Sequence, residues 1–214
     1  MDISKKNVYF LGDSITQGSG ASCVEKCFVS LFQQKYPNAN IINYGIGGTR
    51  IARKRVPSEE TRYDDDYNMR ADRMEEGADL VVIFGGTNDF GHGDAVMGKF
   101  GDTDVYTFYG ATYTLYEKLL QKYPNAKFLV LTPLHRLSES EPNALGNVLQ
   151  DYRKAILETA EYFAFPVLDL FAVSGINPKV GKVQETMMPD GLHPNDTGYQ
   201  RLFELIDNAI KYIL

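Results

Sequence analysis

The sequence has little cysteine, no excess of basic charge and no long hydrophobic run. Its 214 residues carry a net charge of −6, whereas a protein that binds nucleic acid is expected to present a clustered basic face. No apolar run approaches the about 18 residues of a membrane-spanning helix. The N-terminus also lacks the apolar segment and cleavage site of a signal peptide. These absences predict a cytoplasmic protein with no nucleic-acid partner and no membrane span.

The two cysteines, Cys23 and Cys27, are four residues apart. In a helix this spacing places both on one face, which favours small buried apolar side chains over a bridge that staples the fold. A metal site would need two more ligands nearby, and the surrounding sequence offers none. The sequence therefore predicts no metal site.

The composition is that of an ordinary globular protein, with 43% hydrophobic and 23% charged residues. A chain of this length fits one domain, residues 1–214, and can bury a core without disulfides or metals. Short apolar runs bounded by Gly, Pro or Asn predict five strands, at residues 8–11, 40–43, 80–84, 127–131 and 167–170.

Amphipathic stretches between and after these runs predict helices at residues 24–35, 105–122, 143–163 and 196–210. In the second of them, Tyr109, Tyr113, Tyr116 and Leu120 recur at helical spacing and are predicted to be core residues. Strands that alternate with helices indicate an α/β fold, with a five-stranded parallel sheet covered by helices on both faces. Ligands bind beyond the carboxyl ends of the strands in such sheets.

Residues 50–74 form the least regular region, predicted to be a long loop or lid with one helix. It begins with a basic run, Arg50, Arg53, Lys54 and Arg55. We interpret this run as a solvated loop that is balanced by the acidic stretch 59–66, rather than as a site for a polyanion.

The first predicted strand runs into Gly12, Asp13 and Ser14. A serine directly after a strand, next to a glycine that permits a tight turn, can project its hydroxyl at the edge of the sheet. A helix N-terminus there would also offer backbone N–H groups to an anion. Taken alone, this tripeptide is also a common turn.

Glycines and an asparagine follow the next two predicted strands. Gly45, Gly47 and Gly48 let the backbone approach a ligand closely, although the segment lacks the lysine of a phosphate-binding loop. Asn88 follows the third strand, and its amide could point to where negative charge develops on a carbonyl oxygen. Asn88 could equally cap a helix or close a turn.

A histidine lies just before the last predicted helix, at His193. Asp190, three residues earlier, could accept a hydrogen bond from one ring nitrogen and leave the other free as a base. His92 and His135 are rival bases, and His135 follows the fourth strand. We favour His193, which has the carboxylate of Asp190 at a matching short spacing. Nucleophile, base, orienting acid and oxyanion donors are the set that ester hydrolysis requires.

These motifs resemble the SGNH hydrolases, also called the GDSL esterase/lipase family, over nearly the whole chain. The resemblance implies a flavodoxin-like three-layer α/β/α fold, no cofactor, Ser14 as nucleophile, and Asp190 and His193 as its partners. It also implies an oxyanion hole made by Ser14, Asn88 and a glycine N–H, which alignment of the motif assigns to Gly48, with Gly47 as the alternative. Asp13, Thr87 and His135 are candidate substrate contacts. The segments 50–55 and 90–104 depart from the family pattern and should affect substrate choice.

The expected function is that of a serine esterase acting on small ester substrates, with short acyl groups such as acetyl on carbohydrate preferred because no long apolar segment suggests a lipid-binding lid. Three alternatives stay open at this point. The same serine could serve an acyltransferase, or a lysophospholipase or thioesterase acting on lipid acyl groups. A non-catalytic binding module is the third, although it would be expected to have lost part of the catalytic set.

Overall fold

The computed structural model describes residues 1–212, whose sheet has five strands. They are β1 (Asn7–Gly12), β2 (Asn40–Gly45), β3 (Leu80–Phe84), β4 (Lys127–Leu131) and β5 (Val167–Leu168). All neighbours pair in parallel, in the order β2-β1-β3-β4-β5. This flavodoxin-like order confirms the predicted five-stranded parallel sheet, and it places the topological switch point beside β1.

The alternation along β1 explains why the sheet has a core on each face. Val8 and Phe10 point into one hydrophobic cluster, while Tyr9 and Leu11 point into the other. Every residue from Val8 to Leu11 is at most 1% exposed, so the strand is covered on both faces. The apolar run is continuous for this reason.

Nine helices lie within the described residues. They are α1 (Ser14–Gln17), α2 (Phe28–Lys35), α3 (Tyr67–Arg73), α4 (Thr87–His92), α5 (Phe108–Lys122), α6 (Leu149–Tyr162), α7 (Leu170–Val173), α8 (Gly181–Met187) and α9 (Asp196–Tyr212). Residues of α2 and α9 pack in the cluster that contains Phe10, and residues of α3, α5 and α6 pack in the cluster that contains Tyr9. None of the helices in residues 1–212 has the length and apolarity needed to cross a membrane.

Several predicted helices begin later than expected, because local side chains fix their first turns. The helix expected at 105 begins at Phe108, where the Thr107 side chain accepts from the Gly110 N–H at 3.1 Å. The helix expected at 143 begins at Leu149, because the preceding residues form a turn instead. In this turn the Asn143 side chain accepts backbone N–H groups, and Gly146 has a positive φ. The last helix begins at Asp196, as predicted, and the Asn195 side chain caps it by accepting from the Gly198 N–H at 3.1 Å.

Other predictions were wrong in detail. The helix expected at 24–35 is a 3₁₀ turn, Val24–Lys26, followed by α2, with extended backbone at Cys27 between them. As a result Cys23 is exposed and only Cys27 is buried. In α5, Leu120 is 36% exposed and lies outside the core, whereas Tyr109 and Tyr116 are buried. The fifth strand stops at Leu168, two residues early, because α7 begins at Leu170.

The segment 50–74 contains α3 and a 3₁₀ turn, Thr61–Asp64. Its basic residues do pair with the acidic stretch, through Arg53 with Asp66 at 2.7 Å and Arg50 with Asp64 at 3.0 Å. Arg50 is nevertheless only 2% exposed, so the prediction of a solvated run is wrong for this residue. Its buried guanidinium holds the segment against the body of the protein.

Candidate active site

Ser14 lies at the carboxyl end of β1, as the first residue of α1. The side chain of Asp13 caps this helix by accepting from the Ile15 N–H at 3.0 Å. The turn can form only with glycine at position 12, since a Cβ there would overlap the side chain of Thr16. Ser14 is 8% exposed, and it lines a cavity of about 760 Å³.

The hydroxyl of Ser14 is hydrogen-bonded to a histidine from the other end of the chain. Ser14 Oγ lies 2.9 Å from His193 Nε2, and His193 Nδ1 lies 2.7 Å from Asp190 Oδ2. The second carboxylate oxygen of Asp190 accepts the backbone N–H groups of Leu192 and His193 at 2.9 and 2.7 Å. Burial acts to raise the pKa of Asp190, but these hydrogen bonds outweigh it and hold the pKa below its usual range. The carboxylate is therefore ionised at neutral pH and fixes the ring of His193.

The loop after β2 brings two glycines to the cavity that Ser14 lines. Gly47 donates its N–H to Gln17 Oε1 at 2.7 Å, whereas the N–H of Gly48 has no acceptor within residues 1–212. Gly48 has a φ of 77°, and a Cβ there would overlap the ring of Tyr63. Of these two glycines, only Gly48 therefore has a backbone N–H left for a ligand, as far as the described residues show.

The loop after β3 supplies an amide to the same cavity. Asn88, in the first turn of α4, donates from Nδ2 to the Thr49 carbonyl at 2.9 Å, which leaves its second N–H for another acceptor. The next residue, Asp89, accepts the N–H groups of Ile51 and Ala52 at 3.0 and 2.8 Å. Burial raises the pKa of Asp89 to about 6, against these hydrogen bonds. Adjacent side chains of α4 thus hold the loop that carries Gly48.

The cavity wall combines polar groups with small apolar ones. Besides Ser14, Asn88 and His193, its lining residues are Gln17, Gly18, Ser19, Ala21, Cys23, Val24, Gly47, Gly48, Arg62, Tyr63, His92 and Leu192. No grouping of three or more His, Cys, Asp or Glu side chains that could hold a metal ion occurs within residues 1–212. The arrangement can support proton transfer from a serine and hydrogen bonding to an oxyanion.

The three candidate substrate contacts lie outside this lining. Asp13 is 1% exposed and caps α1, and burial raises its pKa to about 6. Thr87 is buried and accepts from Arg136 through its carbonyl and hydroxyl oxygens. His135 bonds to Glu139 at 2.8 Å and packs on Phe171. Asp13 and Thr87 therefore position the motifs, and a substrate contact of His135 would have to form outside the cavity.

Sequence reasoning missed two residues that support the site. Gln17 holds the N–H of Gly47, and Arg70 donates to the Gly12 carbonyl at 2.9 Å and to Thr49 Oγ1 at 2.6 Å. Gln17 follows Ser14 by three residues, one turn of α1, and this spacing could have identified it. Nothing in the local sequence distinguishes Arg70 from the other basic residues of segment 50–74.

Comparison with known proteins identifies a family for the chain. The model of the GDSL-like Lipase/Acylhydrolase family matches residues 10–201. No curated protein matches the chain in sequence at a significant level.

Solved structures resemble the chain over nearly all of its length. One crystal structure is 33% identical and superposes with a TM-score of 0.87, covering 99% of this chain and 98% of that one. A protein from Lactobacillus plantarum is 27% identical, with a TM-score of 0.85 and complete coverage of both chains. A two-domain esterase that is active on acetylated mannans is 21% identical, with a TM-score of 0.64, covering 96% of this chain and 48% of its own.

Proposed function

Because the chain belongs to the GDSL-like lipase/acylhydrolase family and is an ester-hydrolysing enzyme, we propose that it acts through an acyl-enzyme on Ser14. The observation that carries this proposal is the continuous set of hydrogen bonds from Ser14 through His193 to Asp190, at 2.9 and 2.7 Å. Such a set lets the serine lose its proton as it attacks.

In the acylation step, Ser14 Oγ attacks the carbonyl carbon of the ester while its proton passes to His193 Nε2. The ionised Asp190 stabilises the resulting imidazolium and keeps the Nδ1 proton in place. His193 then gives the proton to the leaving alkoxide oxygen, and the C–O bond of the ester breaks. The alcohol departs and the acyl group stays on Ser14.

The tetrahedral oxyanion is held by the N–H groups of Ser14 and Gly48 and by the amide of Asn88. In support, the two backbone groups have no acceptor within residues 1–212, and Asn88 has one N–H to spare. In the deacylation step, water gives a proton to His193 and attacks the acyl carbon. Ser14 leaves as its oxygen takes that proton back, and the free acid is released.

We infer that the substrates carry short acyl groups, with acetyl on carbohydrate as the leading candidate. The aliphatic side chains of the cavity wall are few and short, namely those of Ala21, Val24 and Leu192. The structural neighbour that acts on acetylated mannans is consistent with this choice. A long fatty acyl chain would find few apolar contacts along such a wall.

The test is hydrolysis of p-nitrophenyl esters of increasing acyl length, run beside acetylated sugars. Ser14→Ala should lower kcat by about 10⁶-fold, as loss of a nucleophilic serine does. Ser30→Ala is the matched control, since Ser30 lies in α2 and outside the cavity lining. Wild-type turnover by Ser14→Ala would overturn the proposal, and rising activity with acyl length would overturn the short-acyl assignment.

A fluorophosphonate probe separates an enzyme from a binding module. It should label the wild type and Ser30→Ala but not Ser14→Ala, because only an activated serine reacts. Product analysis with an added alcohol tests water as the acceptor. Predominant transfer to the alcohol at low concentration would assign the protein as an acyltransferase instead.

A further inference from the structure

The helix that carries Asn88 also carries His92, four residues later. Residues four apart lie on the same helix face, with about 5–6 Å between their Cβ atoms. Both side chains line the cavity that contains Ser14. His92 is therefore placed one helical turn from the amide that we assign to the oxyanion, within reach of substrate atoms beside the carbonyl.

Arg50 determines which nitrogen of His92 carries the proton. Arg50 Nη1 lies 3.0 Å from His92 Nδ1, and because a guanidinium can only donate, Nδ1 must be the acceptor. The Nδ1 atom is thus unprotonated and the ring hydrogen is on Nε2. Arg50 cannot readily turn away, since its Nη2 donates to the Tyr63 carbonyl at 2.8 Å and to Asp64 at 3.0 Å.

The surroundings also keep His92 uncharged. Although its ring is accessible from the cavity, partial burial lowers the pKa of His92 to about 4, aided by the positive charges of Arg50, Lys54 and Arg136. A group that stays neutral at pH 7 with Nδ1 occupied cannot take a proton from Ser14. The same group is a fixed donor through Nε2, for which no acceptor occurs within residues 1–212.

We propose that His92 is a substrate-binding residue, which donates its Nε2–H to an oxygen atom of the substrate next to the reacting carbonyl. This inference rests on the proposed esterase function and names the substrate class more closely. The ring of Tyr63, with its centroid 6.1 Å from that of His92 and tilted by 45°, adds a flat apolar face to the same corner. An ester that bears hydroxyl groups, as a partly acetylated sugar does, presents both an oxygen acceptor and an apolar face to this corner.

One experiment reads the tautomer of His92 without using activity. The chain has three histidines, so long-range ¹H–¹⁵N spectra can be assigned with His92→Gln and His135→Gln variants. His92 should show a protonated Nε2 and an unprotonated Nδ1 between about pH 7.5 and 6. A proton on Nδ1, or an imidazolium within that range, would overturn the proposal whether or not the protein hydrolyses esters.

The second experiment compares matched substrates that differ only in hydroxyl groups. Monoacetin and propyl acetate differ in hydroxyl groups on the alcohol part of the ester. Methyl lactate and methyl propionate differ in a hydroxyl group on the acyl part. The wild type should prefer the hydroxylated member of at least one pair in kcat/KM, and His92→Phe should reduce that preference roughly 2- to 10-fold, as the loss of one hydrogen bond does. His92→Gln, whose amide can donate from a similar position, should retain part of it.

The matched control is His135→Phe, since His135 does not line the cavity. It should keep the wild-type preference and the wild-type kcat/KM on the unsubstituted esters. An unchanged preference in His92→Phe for both pairs would refute the assignment. If the wild type shows no Ser14-dependent hydrolysis of any ester, the proposed function is refuted instead. The spectra would still report the tautomer of His92 in that case.

Discussion

Substitution of Asn88 by alanine removes one amide group from the wall of the cavity that contains Ser14. The change has two separable effects, because the amide of Asn88 has two N–H groups. One of them bonds the Thr49 carbonyl at 2.9 Å in the resting protein. The other is the one that we assign to the oxyanion, which exists only during turnover.

The two losses differ in size and in the quantity they change. The bond to Thr49 is worth about 0.5–1.5 kcal/mol of the free energy of unfolding. Loss of one oxyanion donor lowers kcat by about 10²–10³-fold, or about 2.7–4 kcal/mol of transition-state stabilisation. Asn88→Ala should therefore be a folded protein, modestly less stable than the wild type, with a severe defect in kcat.

The assay pairs kcat on p-nitrophenyl acetate with urea unfolding of the same preparation. Asn68→Ala is the matched control, because Asn68 is 2% exposed and donates its amide to the Ala111 carbonyl at 3.0 Å, outside the cavity lining. It should lose a similar amount of stability and keep kcat. If folded Asn88→Ala stays within about threefold of the wild type in kcat, or if Asn68→Ala loses kcat equally, the oxyanion assignment is refuted.

Further predictions concern the base, the glycine loop and the second cavity histidine. Asp190→Asn should lower kcat by less than the about 10⁴-fold seen for a buried triad acid, because Asp190 is half exposed and water can partly replace it; an unchanged kcat would contradict its role. Gly48→Ala should lower the free energy of unfolding more than Gly146→Ala does. Both glycines have a positive φ, where a Cβ adds about 1–2 kcal/mol of backbone strain, but only Gly48 is packed against a ring. Equal urea midpoints would contradict that packing. Between pH 6.5 and about 4 the unfolded chain binds a proton at His92 that the folded chain does not, so stability falls as pH falls. His92→Gln should lose less stability than the wild type on going from pH 7 to 5, and parallel pH profiles would contradict the lowered pKa.

The three central strands, β1, β3 and β4, could be predicted from the sequence because they are buried on both faces. Apolar runs such as 80–84 and 127–131 coincide with β3 and β4 residue for residue. The first residues of the helices were predicted less accurately, because a periodic pattern does not show which residue caps the first turn. The start of α6 at Leu149 depends on Asp151, whose side chain accepts the Val148 N–H at 2.8 Å.

The proximity of the candidate site residues was predictable in part from the parallel pairing of the strands. Ser14 and Asn88 lie two and four residues beyond strands whose ends are level, with Gly12 of β1 opposite Phe84 of β3, so parallel pairing brings them to one edge of the sheet. The corner formed by Tyr63 and His92 was not predictable. Its position depends on Arg50, whose partners lie 13, 14 and 42 residues away, and periodicity carries no information about such contacts.

The bond between Ser14 Oγ and His193 Nε2 joins residues that are 179 positions apart. The proposed nucleophile is therefore synthesised well before its base. A nascent or refolding chain can therefore complete the sheet and still be inert, until α9 docks against α2 and brings the preceding turn with it. Closing so long a loop costs chain entropy, so this contact should form late in folding. The return of esterase activity should therefore mark the final step of refolding, after the recovery of the helical circular dichroism signal.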